Sequence, residues 1–406
     1  MRMTDVETLL NRHGFPLYIY DSEAISGRIS RLKEVFDGFD ILYSMKCNSN
    51  DAVCRHITAH GLGIDAASKN EVLAAHFLGV PSDKILFSAP GKSDDDLRET
   101  LDSCLIIADS YNELQRIDAL CAGRGMTRPV GLRVSPDISY GPGSCPAVCP
   151  GLPDKFGEDE EDLPAHGDFL RGLKYARPVG IHVYTRSQVL SAGALGVCFE
   201  HVARLARGWK RDLGLPLEFV NFGGGLGIPY AEEMQPLDLE RLHRHVAGLM
   251  RTIPQSGPAP VRLYMESGRF LVGKAGVFVT RIVDVKHSRG RTFVIAAGLL
   301  NHFLRPAIAG LMDALPLERT YAGPCEPLWS GCNTVVPKAW GRPAPARTVT
   351  VCGNLCTAMD TVAHGIPLKN AVVGNLLVFE NAGAYAAALS PHGFSSQPGA
   401  KEILWA

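Results

Sequence analysis

Ile41-Leu42-Tyr43-Ser44-Met45-Lys46-Cys47-Asn48 is an apolar run that closes on a lysine and two polar residues. Read as a strand over 41–45, it delivers Lys46 at its C-terminal end, where burial and neighbouring charge can strip an amine of its proton for Schiff-base chemistry. A solvated surface lysine is the plainer alternative, so the residues on either side decide. Upstream, 4–13 reads as a helix, Pro16-Leu17-Tyr18-Ile19-Tyr20 as a strand, and Asp21-Ser22 as the cap of a helix reaching about Phe36. Downstream a rhythm sets in. Short apolar strands at 63–66, 85–88, 105–108, 130–134, 179–183, 217–222 and 262–266 follow, mostly separated by helical segments.

Eight strands alternating with helices predict a (β/α)8 barrel, with a doubly wound open sheet as the alternative. The polar residues favour the barrel. Lys46, Asp65, Ser88, Arg133, His182, Gly223 and Glu266 all fall at or just past successive strand ends, where barrel enzymes keep their chemistry. After about residue 270 the period changes: 277–285, 292–295, 348–351 and 375–379 read as strands with turns between them, predicting a separate β-rich domain that begins near Gly273. The Gly, Pro and Cys-rich stretch 141–153 reads as a loop.

Composition limits the functional classes. With 406 residues, 46% of them apolar and 20% charged, the chain can bury two cores. A net charge of -1 gives no electrostatic footprint for nucleic acid or an anionic membrane, so small-molecule chemistry is expected. No run approaches the roughly 18 apolar residues of a membrane span, and the opening MRMTDV lacks the core of a signal peptide, which predicts a cytoplasmic protein. Eleven scattered cysteines suit reduced thiols. Cys145 and Cys149 lie close together, but neither a second pair nor a His cluster completes a zinc site, so no metal is expected.

Three further motifs carry chemistry. Gly223-Gly224-Gly225 with Gly227 directly follows a strand, and such a run either cradles a phosphate on its N–H groups or makes a tight turn. Glu266-Ser267-Gly268-Arg269 sets a carboxylate at the last strand end and a guanidinium just beyond. These suit the pyridine nitrogen and the phosphate of pyridoxal phosphate (PLP), or else an internal salt bridge. His182 at its strand end can stack on an aromatic cofactor, or be a satisfied core histidine.

Taken in order, Tyr43–Asn48, Asp65–Glu71, Lys155-Phe156-Gly157, His182 with Ser187-Gln188, Gly223–Gly227, Glu266–Arg269, Cys356 with Asp360, and Asn381–Tyr385 resemble the fold-type III PLP decarboxylases. These are the ornithine, arginine and diaminopimelate decarboxylases. The resemblance implies an alanine-racemase-like (β/α)8 TIM barrel over 22–272, with 1–21 and 273–406 forming a β-rich domain. It also implies PLP as cofactor, and a homodimer with active sites at the interface. Lys46 matches the cofactor-bearing lysine, His182 the ring-stacking histidine, and Glu266 the partner of the pyridine nitrogen. Ser187, Gly223, Gly224, Gly225, Gly268 and Arg269 match the phosphate region, Tyr385 a cofactor-contacting tyrosine, and Asp65 falls in the cofactor-site motif. Cys356 matches the cysteine that a second subunit brings to reprotonate the product carbon.

The departures bear on substrate. The family's cysteine is commonly followed by an acidic residue that grips a distal ammonium; Thr357 stands there, which argues against ornithine or lysine. The context is similar to a branch with Gly-Pro-Leu-Cys-Thr that acts on modified amino acids, such as siderophore intermediates or carrier-bound aminoacyl groups, with Asn354 replacing its proline. Leu299–Pro306 resembles the diaminopimelate branch, whose matching arginine meets a carboxylate, so Arg305, Thr357, Asp360 and Arg186 are the candidate substrate residues. The implied activity is decarboxylation of an amino acid or conjugate with an additional carboxylate. Diaminopimelate decarboxylase, a racemase, and a catalytically inactive regulator are the alternatives.

Overall fold

The computed structural model describes residues 3–138, 155–184, 187–253, 260–308 and 337–406. Helix α1 (Met3–His13) and strand β1 (Leu17–Asp21) lead into α2 (Ser22–Val35). The alternating region runs β2 (Asp40–Ser44), α3 (Asp51–Ala59), β3 (Gly63–Ala66), α4 (Lys69–Phe77), β4 (Ile85–Phe87), α5 (Asp94–Thr100), β5 (Leu105–Ala108), α6 (Tyr111–Gly123) and β6 (Arg128–Ser135). It continues with the two-residue β7 (Glu158–Asp159), α7 (Gly167–Gly172), β8 (Ala176–His182), α8 (Ala192–Arg211), β9 (Phe219–Asn221), α9 (Leu239–Met250), β10 (Arg262–Ser267) and α10 (Arg269–Val272).

The strands are parallel in the order β2, β3, β4, β5, β6, β8, β9, β10, and β10 pairs back onto β2. That closure excludes the doubly wound sheet. Parallel strands are covered on both sides, which is why they read as near-continuous apolar runs. Asp21, Asn50, Ser68, Ser93, Ser110, Ser191 and Asp238 each accept a backbone N–H of the helix they precede, so most strand-to-helix turns are fixed by a side-chain cap. Inside the barrel, Leu42, Leu86, Ile107, Val179, Phe219 and Tyr264 form their own packed cluster. Gly131 and Gly180 leave room for Phe219, since a Cβ at either would lie within 2.7 Å of its ring. The barrel is a filled core that ends in a platform of strand ends.

A separate mixed sheet follows, formed by β11 (Gly276–Ser288), β12 (Arg291–Ala296), β13 (Lys338–Trp340), β14 (Arg347–Cys352), β15 (Thr361–Leu368), β16 (Leu376–Phe379) and β17 (Lys401–Trp405). Its path is β13-β16-β11-β12-β14-β15, and β1 joins it between β11 and β17. Strand β11 is long enough to pair β1 and β16 with its first half and β12 with its second, the register shifting between Ile282 and Asp284. No described helix is long and apolar enough to cross a membrane.

Candidate active site

Strand β2 ends at Ser44, one residue before the predicted limit, and a 3-10 turn over Met45–Cys47 carries Lys46. Gly268 permits this placement, because a Cβ there would lie 2.8 Å from Cys47 Sγ and 3.2 Å from Ser44 Cβ. The turn therefore packs directly against the Glu266–Arg269 segment. Ser44, Lys46, Tyr184, Ser187, Gly224, Gly225, Leu226, Glu266, Ser267, Gly268, Arg269 and Tyr385 line one cavity at the C-terminal end of the barrel. Residues at the ends of β8, β9 and β10, together with Tyr385, thus converge on the turn that carries Lys46.

The charge on Lys46 runs opposite to the expectation of an amine stripped of its proton. Lys46 Nζ lies 3.5 Å from Asp65 Oδ2, and this carboxylate raises the lysine pKa more than burial lowers it. Lys46 is therefore an ammonium paired with Asp65. Asp65 is fully buried and accepts from Ser88 Oγ at 2.8 Å, while its Oδ2 has no hydrogen-bond partner among the described residues. Behind it, burial pushes Glu71 up to about 7 although Ala67 N donates to it at 2.6 Å.

Opposite Lys46, Glu266 Oε1 accepts from Asn221 Nδ2 at 2.8 Å and pairs with His182 Nε2 at 3.0 Å. Burial opposes the charge on Glu266, but His182, Lys46 and the Asn221 amide together hold its carboxyl below the usual range. Oε1 is thus occupied by the protein, and Oε2 has no described side-chain partner at the cavity. The registry accounts for the arrangement: His182 on β8 is level with Asn221 on β9, and Asn221 is level with Tyr264, two residues before Glu266. His182 Nδ1 is buried without a hydrogen-bond partner among the described residues.

Gly224 and Gly225 line the cavity, whereas Gly223 supports them from behind. Gly223 has φ +65° and its absent Cβ would meet Val183 O at 2.3 Å. Ser187 and Arg269 complete that end of the cavity. Arg269 Nη1 donates to Tyr230 Oη at 2.6 Å, and its guanidinium lies 4.8 Å from the Tyr385 ring. Tyr385 is held at φ +50°, a rare backbone for an aromatic residue, by a bond from its N to Cys47 O at 2.8 Å.

These groups fit a phosphorylated pyridine aldehyde: a lysine to bear it, a charged carboxylate with one oxygen spare for the ring nitrogen, and a glycine loop with Ser187 and Arg269 for the phosphate. No described group of His, Cys, Asp or Glu could hold a metal ion. Sequence reading missed Asn221, Tyr184, Tyr230, Ser44 and Ser267 as contributors. Asn221 was detectable as the polar residue interrupting the apolar run Phe219–Phe222, but Tyr230 and Tyr184 lie in irregular segments with no periodic signal.

Four candidates sit elsewhere. Cys356 is exposed on the segment 353–360, and neither it nor Thr357 lines the cavity of this chain. Asp360 was expected to meet substrate, but it is buried and both its oxygens are engaged, accepting Leu300 N and Leu355 N at 2.9 Å each. Arg305 was expected to meet a carboxylate, yet it is fully buried and bonds the carbonyls of Asn381 and Ala384. Asn354 accepts from Gly298 N at 3.0 Å, the use this chain makes of its replaced proline. Arg186 and the stretch 141–153 with Cys145 and Cys149 lie outside the described residues.

Residues 22–273 match the family model described as pyridoxal-dependent decarboxylase, pyridoxal binding domain. The chain is 30% identical over 405 residues to the L-glutamyl-[BtrI acyl-carrier protein] decarboxylase of Niallia circulans, covering 98% of this chain and 91% of that one. It is also 30% identical over 411 residues to the diaminopimelate decarboxylase of Methanothermobacter thermautotrophicus, covering 98% and 89%. The crystal structure of diaminopimelate decarboxylase from M. jannaschii in co-complex with L-lysine superposes with a TM-score of 0.85 at 24% identity, covering 98% and 89% of the two chains, which bears on the fold.

Proposed function

The chain belongs to the pyridoxal-dependent decarboxylases, with PLP as its cofactor, and from that premise we propose that it decarboxylates an amino acid or amino-acid conjugate that carries a further carboxylate. The observation that carries the site assignment is the placement of Lys46 and the charged Glu266 in one cavity with Gly224, Gly225 and Arg269. Bound PLP supplies the electron sink for the pair left behind by departing CO2. Lys46 is the amine that would anchor it, and Asp65 would hold the Nζ proton of the free lysine. Glu266, kept charged by His182 and Asn221, would offer its free oxygen to the ring nitrogen, and His182 would serve as the residue that stacks on the ring. Gly224, Gly225, Ser187 and Arg269 would serve the phosphate, with Gly223 shaping that loop from behind and Gly268 admitting the lysine turn, and Tyr385 closes the cavity from the second sheet.

The proton that replaces CO2 on the substrate carbon comes from Cys356 of a second copy. Its exposed place on 353–360, away from this chain's own cavity, supports a homodimer with shared sites. Residues 22–272 form the cofactor-binding barrel in this reading, and 1–21 with 273–406 the domain that carries Cys356 across. We assign the protein to the cytoplasm.

The substrate reading rests on Thr357, which offers no counter-charge for a distal ammonium, and on the likeness to a decarboxylase named for a glutamyl group on a carrier protein. A siderophore-type or other secondary-metabolite intermediate has the required character. Free meso-diaminopimelate is the second reading, favoured by the likeness to the Methanothermobacter thermautotrophicus protein. Purified protein supplied with PLP will show a visible band that borohydride bleaches, and Lys46→Ala will abolish it; a colourless wild type overturns the site assignment. A CO2-release screen over diaminopimelate, ornithine, lysine, glutamate and carrier-linked or citryl-linked amino acids separates the substrates. Brisk turnover of ornithine defeats the use made of Thr357.

A further inference from the structure

Arg305 is among the largest side chains that the fold buries completely. Its Nη1 donates to Ala384 O at 2.9 Å and to Tyr230 Oη at 3.2 Å, and its Nη2 donates to Asn381 O at 2.6 Å. No carboxylate among the described residues pairs with it. Arg269 Nη1 reaches the same Tyr230 oxygen at 2.6 Å, so two guanidiniums share one phenol, with their centres 4.7 Å and 5.6 Å from its ring. A buried cation spent on two backbone carbonyls and a phenol gains little net stability, because desolvation offsets what the bonds return. What it does gain is geometry.

The two carbonyls belong to a strap, residues 381–385, that the second sheet lays across the barrel mouth. The strap is stitched to the lysine turn by Asn48 Nδ2 to Gly383 O at 2.9 Å and by Tyr385 N to Cys47 O at 2.8 Å. Asn381 and Tyr385 both sit at positive φ, conformations that persist only where the surroundings enforce them. Arg305 grips the strap at Asn381 and Ala384, just where those conformations begin and end. Through Tyr230 it also fixes the phenol that Arg269 donates to, while its own positive charge adds to the potential felt by an anion at Arg269.

We propose that Arg305 is a positioning residue of the cofactor-phosphate site, bracing Tyr230 and the 381–385 strap so that Arg269 and Tyr385 face the cavity, and that it does not read the substrate's second carboxylate. This rests on the reading of the cavity as the PLP site.

The test is PLP affinity, followed by the visible band as apo-protein is titrated, for wild type, Arg305→Met, Arg305→Lys and Tyr230→Phe. Meso-diaminopimelate and L-lysine, which differ by one carboxylate, are then compared by their perturbation of that band in each holo-protein. Arg305→Met will bind PLP at least about tenfold more weakly, the loss expected when charged hydrogen bonds are removed. Arg305→Lys will recover part of that affinity, Tyr230→Phe will weaken it in the same direction, and the preference between the two amines will not move. If Arg305→Met fails to fold, Arg305→Lys and Tyr230→Phe give the same answer with less disruption. Variants that hold PLP like wild type while losing a preference for meso-diaminopimelate overturn the proposal. A wild type that takes up no PLP overturns the reading of the cavity itself.

Discussion

The barrel platform and the segment 353–360 are both built around a reactive side chain, and they are built differently. Around Lys46, groups from several strand ends converge, and charges are matched inside one chain: Asp65 against the ammonium, His182 and Asn221 against Glu266. Around Cys356, which is exposed, no side chain converges among the described residues. The segment is cinched from behind by Asp360 and Asn354, and its tip is exposed, with Met359 beside it 53% accessible. The first region has the organisation of a receptacle; the second has that of a group held out for use elsewhere.

The largest expected effect comes from separating the two regions. Lys46→Ala and Cys356→Ala each cripple turnover, the cysteine variant by about 10² to 10⁴-fold if it is the proton donor. Mixed and allowed to exchange subunits, the two inactive variants will regain about a quarter of wild-type activity, since half the dimers are mixed and each rebuilds one site. No recovery in a CO2-release assay would place both groups in a site within a single chain and break the comparison. Glu266→Gln tests the receptacle alone: PLP uptake survives while kcat falls by about 10²-fold, because an uncharged amide no longer matches a protonated ring nitrogen.

Asp360→Ala tests the presented segment. It leaves two buried amides unpaired, at about 2 kcal/mol in thermal unfolding, and hydrogen exchange at 353–359 accelerates while PLP affinity is unchanged. The smallest effect belongs to Glu71, behind the cavity. Burial raises its pKa from 4.5 to about 7, so the folded state binds a proton that the unfolded state has released. The stability this confers is complete below pH 4.5 and is lost as pH rises through about 7. Glu71→Gln keeps an acceptor for Ala67 N and abolishes that loss, so the stability of the variant relative to wild type rises with pH between those limits in denaturant melts at stepped pH. Parallel pH profiles would remove Glu71 from the account.

The barrel was legible because its strands are short, apolar and covered on both faces, and because its polar residues fall at strand ends. The lysine turn and the Glu266–Arg269 segment were legible for the same reason. The charge state of Lys46 was not, since Asp65 approaches it across a strand pairing that spacing alone does not measure. The backbone bonds of Arg305 and Asp360 were not legible for a related reason: a charged residue in a functional motif reads as a ligand contact, while its use on backbone amides or carbonyls depends on where distant loops pass. Tyr230 and the strap at 381–385 left no periodic trace. The second sheet was only partly visible, with β13, β15 and β17 unmarked because its strands are edge-exposed or short.

Strand β1 is flanked by β11 on one side and by β17 on the other, and Tyr20 of β1 donates to Glu402 of β17. As the chain leaves the ribosome, β1 emerges before the barrel, and its flanking strand over 401–405 emerges after it. The barrel between them is contiguous in sequence and has all its strands in hand by residue 267. Co-translational folding therefore has a built-in order: the cofactor platform can close while β1 still waits with an unpaired edge, and the sheet that carries Tyr385 and Cys356 is completed only afterwards. Loss of 401–405 would leave the barrel's own pairings intact and expose that edge, turning a deficit of five residues into a problem of aggregation.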